Sequence, residues 1–199
     1  SGPVATPSLA TTRMAVRFTV GSTDPDNDPL AHNWTFGDSW IGSGTNVEHA
    51  YSWVGTYTAR VVVADGAFAR TGTVEVTVLN DFDWWRVSHF GATSAPGAGA
   101  SDDWDGDGCD NYGEWRAGTD PTNAASRLEV SGIECQGGTN FVIRWSSVEG
   151  RWYSIDGTTN LLDGFSMNMA SNIQATPDMN TKTIQVERAR QEFFRVRLE

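Results

Sequence analysis

Apolar and polar residues alternate in short runs over the first part of the chain. Val16, Phe18 and Val20 form one such run, and longer runs follow at 57–63 and 74–78. A cluster of Asp, Pro and Asn at 24–29 separates two of these runs. Because the side chains of a strand point alternately to its two faces, this period predicts half-buried strands of an antiparallel sandwich.

The period changes over residues 81–90, where aromatic and apolar residues recur at helical spacing. This pattern predicts a short amphipathic helix that ends at Gly91. Residues 91–101 are rich in Gly, Ala, Ser and Pro, so we expect a flexible linker without an apolar anchor. A second short helix is predicted at 112–117, before the sequence Gly-Thr-Asp-Pro.

Alternation returns from Arg127 onward and predicts a second small β-sandwich. Its predicted strands are Leu128–Cys135, Asn140–Ser147, Trp152–Asp156, Asn168–Gln174, Thr181–Glu187 and Glu192–Leu198. We interpret Arg144, Arg188, Arg190, Arg195 and Arg197 as outward residues paired with neighbouring acids. The pattern therefore divides the chain into a β domain at 1–80, a helical linker with a loop at 81–126, and a second β domain at 127–199.

Composition excludes several classes of protein. Hydrophobic residues make up 39% of the 199, which argues against disorder as the overall state. No apolar run approaches the roughly 20 residues that span a bilayer, so no membrane span is expected. The net charge of −11 argues against a nucleic-acid binder, which needs a basic face. Residues 81–126 hold two basic and nine acidic residues, a net −7, so most of the acidity is local.

The acidic segment contains a loop whose spacing suits a calcium ion. Residues 103–114 match D-x-D-x-D-G-x₅-E at every required position. Such a loop turns sharply at its glycine, takes a carbonyl from position seven and is closed by a carboxylate at position twelve. The predicted Ca²⁺ ligands are Asp103, Asp105, Asp107, Cys109 through its carbonyl, Asn111 and Glu114. The alternative is an acidic loop without an ion, and Mg²⁺ is disfavoured because a bidentate carboxylate suits the larger cation.

Four motifs of the first segment occur in a fixed order and resemble a known family. They are Trp34-Thr35-Phe36-Gly37-Asp38-Ser39, His49-Ala50-Tyr51, Gly55-Thr56-Tyr57-Thr58 and Val61-Val62-Val63-Ala64-Asp65-Gly66. Their order and spacing over 4–80 resemble the polycystic kidney disease (PKD) domain. The resemblance implies an immunoglobulin-like β-sandwich that serves as a rigid extracellular spacer or adhesive module. Thr35 and Ser39 depart from the family, which has aspartate and glycine at these two positions.

The resemblance to PKD domains also bears on single residues. It implies a structural role for His49. Some PKD domains hold Ca²⁺ with carboxylates at positions that match Asp24, Asp26 and Asp65, so these three form a second, weaker candidate site. The alternative for them is a solvated turn in which each carboxylate binds nearby backbone amides.

The segments after the first β domain carry weaker resemblances. The loop at 103–114 resembles the EF-hand-like loops of dockerins and of thrombospondin type-3 repeats. The run from Trp85 to Arg127, with Phe90-Gly91 before the loop and Gly118-Thr119-Asp120-Pro121-Thr122 after it, resembles a segment of secreted planctomycete and verrucomicrobial proteins. The last segment resembles the small β domain that closes such proteins. These resemblances imply a calcium-ordered joint near the C-terminus of a longer secreted bacterial protein.

The two cysteines of the chain, Cys109 and Cys135, are candidates for a disulfide bond. A Cys109–Cys135 disulfide would tie the loop to the second β domain and contribute about 3 kcal/mol, and secretion favours its oxidation. Two free thiols are the alternative, because spacing says nothing about the Cα separation that a disulfide needs.

The functional prediction is a non-catalytic one. The chain contains no HExxH, GxSxG or phosphate-loop motif, and its three histidines lie in unrelated contexts. We therefore expect a calcium-stabilised accessory or spacer region of a larger secreted or cell-surface bacterial protein, whose partners are the upstream domains of the same polypeptide. The alternative is a carbohydrate- or protein-binding adhesion module of an extracellular hydrolase, with Trp40 and Trp53 contacting a polysaccharide or an extracellular protein.

Overall fold

The alternating segments at the start of the chain form a first β domain. The structure is a computed structural model that describes residues 1–187 and 192–199, and it divides into two compact units, Ser1–Ser88 and His89–Glu199. The strands of the first unit are β1 (Val4–Thr6), β2 (Leu9–Thr11), β3 (Ala15–Thr19), β4 (Ala31–Thr35), β5 (Ile41–Ser43), β6 (Asn46–Ala50), β7 (Gly55–Ala64) and β8 (Ala69–Leu79). They form a β1-β3-β6 sheet and a β2-β8-β7-β4-β5 sheet, with β2 and β8 parallel and the other pairs antiparallel.

Aromatic side chains of the first unit fill the space between its two sheets. Trp34 and Phe36 point to the same face of β4 and its continuation, and their rings stack with centroids 6.3 Å apart. Phe18 of β3 lies 5.7 Å from Trp34 and 5.0 Å from Phe36. All three are buried, so these rings supply much of the apolar area that holds the sheets together.

The turn after β4 is held by a small polar cluster. His49 Nε2 lies 2.7 Å from Asp38 Oδ2, and the imidazole stacks on Phe36 at 4.4 Å. The hydroxyl of Tyr51 donates to the carbonyl of Phe36 at 3.0 Å. These contacts give His49 the structural role that the PKD resemblance implied. Ser39, which stands where that family has glycine, adopts a left-handed φ of +76°.

Two helices follow the first β domain where the sequence predicted them. Helix α1 (Asp81–Phe90) ends at Gly91, whose φ of +81° glycine adopts without strain. Helix α2 (Asn111–Ala117) begins at the N-cap Asp110 and ends at Gly118, whose φ is +78°. No described helix is long and apolar enough to cross a membrane.

The second β domain is built from two three-stranded sheets. Its strands are β9 (Val130–Gln136), β10 (Asn140–Ser146), β11 (Trp152–Thr158), β12 (Met167–Gln174), β13 (Met179–Gln185) and β14 (Phe193–Leu198), with a short 3-10 turn at Leu161–Asp163. One sheet has the order β13-β10-β9 and the other β12-β11-β14. The central strands β10 and β11 supply the buried Ile143, Trp145, Tyr153 and Ile155. The predicted mainly β architecture with a second β domain is confirmed.

Three of the five arginines interpreted above as outward residues pair with acids. Arg144 lies 3.4 Å from Glu134, and Arg195 and Arg197 both bind the buried carboxylate of Asp156 at 2.9 Å. Arg188 and Arg190, which were interpreted in the same way, lie outside the described residues.

Candidate metal centre

Three aspartates of the loop between the helices converge on one point. One carboxylate oxygen from each of Asp103, Asp105 and Asp107 lies within 4.8 Å of the other two, and this is the one such group of acidic, histidine or cysteine residues in the described part of the chain. Gly106 and Gly108, which follow Asp105 and Asp107, have φ of +76° and +94°. These left-handed residues curl the backbone so that alternate carboxylates face inward.

Backbone amides of the loop hold the three carboxylates in place. Asp103 accepts from the amides of Gly106 at 2.8 Å and Gly108 at 2.9 Å, one on each oxygen. The Oδ1 atoms of Asp105 and Asp107 each accept from the amide two residues ahead, at 3.2 and 2.7 Å. The carboxylates are therefore fixed by the loop itself.

Three carboxylate oxygens of the loop at 103–114 are buried and lack donors. Asp105 Oδ2, Asp107 Oδ2 and Glu114 Oε2 are inaccessible and have no hydrogen-bond partner. A buried carboxylate oxygen without a donor or cation is costly, because burial removes its hydration without replacement. These three oxygens fit a hard cation that takes oxygen ligands, such as Ca²⁺.

Glu114 differs from the aspartates in that its side chain is completely buried. It lies outside the 4.8 Å group, and its Oε1 accepts from the Thr119 hydroxyl at 3.3 Å. Burial, together with the charges of Asp105 and Asp107, raises its pKa from 4.5 to about 7. A bound cation would reverse the effect of the neighbouring charges and favour the carboxylate.

The other two predicted ligands occupy different environments. Asn111 is buried, and its amide nitrogen donates to the carbonyls of Gly97 and Gly99 at 2.8 Å each, while its Oδ1 is buried without a partner. The Cys109 side chain is half-buried, and burial and the nearby carboxylates raise the pKa of its thiol to about 11. The predicted ligand of this residue is its backbone carbonyl, which does not depend on the charge of the thiol.

The candidate disulfide is not formed in the structure. Cys109 and Cys135 are both free. The Cys109 sulfur packs onto α2, only 2.8 Å from where a Cβ on Gly113 would lie, while Cys135 is an exposed residue of β9.

Residues 91–101 are not the unanchored linker that their composition predicted. Ala98 is completely buried, and Gly97 lies so close to the Trp104 ring that a Cβ there would come within 2.7 Å of it. The carbonyl of Ala100 accepts from the amide of Tyr112 at 3.0 Å. The small residues do not make this segment flexible but permit its close packing against the loop at 103–114 and α2.

Sequence reasoning missed two supporting residues of the loop. The backbone carbonyl of Asp102 accepts from the amide of Asn111 at 2.8 Å, and its side chain accepts from the amide of Gly99 at 2.8 Å. Thr119 binds the Glu114 carboxylate as described above. The signal for Thr119 was its position five residues after Glu114 in Gly-Thr-Asp-Pro, but only the helix end brings the two together.

The second set of predicted calcium ligands is arranged differently. Asp24 Oδ1 accepts from the amides of Asp26 at 2.9 Å and Asp28 at 3.1 Å. Asp65 Oδ1 accepts from the amides of Ala67 and Phe68, and these bonds hold its pKa below the usual range. Asp24 and Asp65 line one open cavity of about 510 Å³, whose lining does not include Asp26. Asp24, Asp26 and Asp65 form no compact ligand group in the described chain.

The two loop tryptophans lie at one end of the first β domain. Trp40 follows β4 and Trp53 precedes β7, and because these strands are antiparallel the two loops lie at the same end of the sheet. Their side chains are 68% and 78% exposed. Trp40 approaches His49, with ring centroids 6.3 Å apart.

Comparison with known proteins finds a family match over the first β domain. The family model of the PKD domain matches residues 2–79, ending at the last residue of β8. PKD domains are non-catalytic modules. The predicted PKD resemblance of this segment is thereby confirmed, and with it the immunoglobulin-like fold.

Solved structures add partial similarities. The PKD domain of an M14-like peptidase from Thermoplasmatales archaeon SCGC AB-540-F20 is 22% identical, covers 38% of this chain and 89% of its own, and superposes with a TM-score of 0.35. The PKD1 domain of Vibrio anguillarum Epp is 29% identical over 40% of this chain and 98% of its own, with a TM-score of 0.29. A structure of carbohydrate-binding modules from the β-sandwich superfamily is 12% identical over 100% of this chain and 96% of its own, with a TM-score of 0.36.

Proposed function

We propose that this chain is a non-catalytic, calcium-stabilised accessory region of a larger secreted or cell-surface bacterial protein. The PKD match of the first unit supports the accessory role, since such modules typically occur in extracellular proteins. The observation that carries the calcium assignment is the set of three buried carboxylate oxygens without donors on Asp105, Asp107 and Glu114. One divalent cation would compensate these charges and link α2 to the loop.

The single loop and the positions of the methionines support a structural ion rather than a regulatory one. A calcium sensor opens paired EF-hands and exposes a methionine-rich groove. This chain has one loop of the required spacing, and its four methionines all lie outside residues 81–126. The supporting contacts of Asp102, Asn111 and Thr119 lie around the loop and hold it in one conformation, as a structural site requires.

The test is a substitution whose effect on stability changes sign with calcium. Glu114→Gln removes a buried charge but keeps the side-chain shape. Without metal it should raise the melting temperature of the second unit, because the buried carboxylate is destabilising there. With saturating calcium it should lower the melting temperature relative to wild type, because a ligand is lost. Calorimetric melts in EDTA and in calcium measure both.

Asp110→Asn is the matched control for this test. Asp110 lies in the same loop, but it caps α2 by accepting from the amide of Gly113 at 2.7 Å, and asparagine caps helices equally well. We expect this variant to keep the calcium dependence of wild type. A wild-type melt that does not differ between excess EDTA and calcium would contradict the calcium assignment.

The second candidate function is binding of a polysaccharide by the first unit. It is supported by the exposure of Trp40 and Trp53 on neighbouring loops, since exposed aromatic rings stack on sugar faces. Affinity electrophoresis of the full chain in gels containing polysaccharides should then show retardation that Trp40→Ala and Trp53→Ala abolish. Phe68→Ala is the control, because Phe68 is equally exposed, at 79%, but lies between β7 and β8 at the opposite end. Equal mobility of all variants would favour the spacer role alone.

A further inference from the structure

The turn that joins β10 to β11 is tied to the core of the second β domain. The amide of Val148 donates to the Tyr153 hydroxyl at 3.0 Å, and Tyr153 is a buried core residue. The carbonyl of Arg151 accepts from the amide of Ala175 at 3.0 Å, just after β12. The turn that carries Arg151 is therefore held against the β12-β11-β14 sheet.

The side chain of Arg151 reaches from this turn to helix α2. Its Nη2 donates to the carbonyl of Trp115 at 3.1 Å, and a guanidinium there also suits the negative end of the helix. The helix end packs directly on the same turn. A Cβ on Gly118 would lie 3.0 Å from Arg151 Nε and 3.0 Å from Val148 Cγ1.

Helix α2 carries Glu114, and the residues that contact Arg151 are bonded to it. The carbonyl of Glu114 accepts from the amides of Gly118 at 2.7 Å and Thr119 at 3.1 Å. Its carboxylate accepts from the Thr119 hydroxyl. An unbroken series of contacts thus leads from the metal loop through the end of α2 to Arg151 and on to Tyr153.

We infer that Arg151 is a positioning residue that couples calcium binding in the loop to the stability of the second β-sandwich. This inference rests on the calcium site proposed above. A ligand lowers the unfolding equilibrium constant of every segment that unfolds together with its site, by the factor 1 + [L]/Kd. With Arg151 in place, β10 and β11 unfold together with the loop and share that factor. Without its contacts to α2, the loop opens independently of the sandwich, and the strands lose the benefit of the ion.

The experiment is hydrogen exchange of the full chain, followed by mass spectrometry of peptides from α2 and from β10. At calcium near one hundred times Kd, both peptides of wild type should exchange up to about 100-fold more slowly than in EDTA. In Arg151→Met, which keeps the apolar stem but removes the donors, α2 should retain this slowing and β10 should lose it. Arg144→Met is the control, because the Arg144 side chain pairs with Glu134 at the surface of the same domain. It should behave as wild type.

Arg151→Lys is the second variant, for the case that the methionine variant does not fold. Lysine keeps the charge near the helix end but lacks the guanidinium that contacts both Trp115 and Gly118, so β10 should show an intermediate slowing. Retention of the full calcium effect on β10 in the folded Arg151 variants would overturn the inference. So would a wild type in which calcium slows α2 but not β10, and in that case the calcium site itself would stand. No slowing of α2 in wild type would refute the calcium site, and the inference with it.

Discussion

Two acidic sites of this chain, one in each unit, differ in how their carboxylates are satisfied. In the first β domain, Asp24 and Asp65 lie in separate turns that line one open cavity, and each accepts two backbone amides on one oxygen. In the loop at 103–114, three oxygens are buried without any donor. Both sites contain several aspartates, so the number of carboxylates does not distinguish them. Burial without hydrogen bonds is the observation that favours a cation at the loop 103–114 alone.

The largest expected difference between the acidic sites of the two units is in calcium affinity. Asp105→Asn should weaken calcium binding to the full chain by on the order of 10- to 100-fold, about 1.4–2.8 kcal/mol, because the loop loses a charged ligand. Asp24→Asn should leave the affinity unchanged. Isothermal titration of both variants checks this. An equal loss in both would mean that the first unit also contributes to binding.

The pH dependence of stability should differ between the units in the absence of metal. The pKa of Glu114 is raised in the folded state to about 7 from 4.5, so the protonated group stabilises the fold below about pH 4.5, and this contribution is lost as the pH rises through 7. Between pH 5 and 8 the loss corresponds to roughly 2–3 kcal/mol. The pKa of Asp65 is lowered instead, so its contribution is lost as the pH falls. Melts in EDTA between pH 5 and 8 should show the second unit weakening, and Glu114→Gln should remove this trend.

A glycine pair in the second unit tests whether the loop depends on packing against the β10–β11 turn. Gly118 and Gly150 both have φ of +78°, so alanine is strained equally at each. A Cβ on Gly118 would meet Arg151 and Val148, whereas nothing lies within 4 Å of one on Gly150. Gly118→Ala should therefore destabilise the second unit by about 1–2 kcal/mol more than Gly150→Ala. Equal effects in denaturant unfolding would contradict the packing argument.

The smallest expected effect lies in the first β domain. Ser39 has a left-handed φ of +76°, which costs a residue with a Cβ about 1 kcal/mol. Ser39→Gly should thus stabilise the first unit by roughly that amount, about 4–8 °C in melting temperature, and leave the second unit unchanged. Ser43→Gly in β5 is the control and should be neutral or destabilising, since glycine weakens strands.

Sequence periodicity predicted the long elements well and the short ones poorly. Helix α1 and the strands β7, β8 and β10 lie where the pattern placed them, because each is long enough to show its period. Strands β1, β2 and β5 have three residues each, too few for alternation to be recognised, and they form because longer strands offer free edges.

For the candidate site, the sequence predicted that three aspartates come together but not the contacts that support the loop. The spacing of Asp103, Asp105 and Asp107 follows directly from loop geometry, and the structure brings these carboxylates together. The packing of residues 97–100 against Asn111 could not be predicted, because Gly and Ala have the same composition in a flexible linker and in a tight contact. Arg151 gave no signal at all, since it is 37 residues away from Glu114 in the sequence.

The sequence by itself determined the β pattern, the PKD motifs and the spacing of the acidic loop, because these depend on residues close together along the chain. The tertiary structure decided which carboxylates are buried without donors, that Cys109 and Cys135 are both free, and that Arg151 contacts the end of α2. The reason is physical. Burial and long-range contacts depend on how distant segments pack, so local patterns of side chains do not encode them.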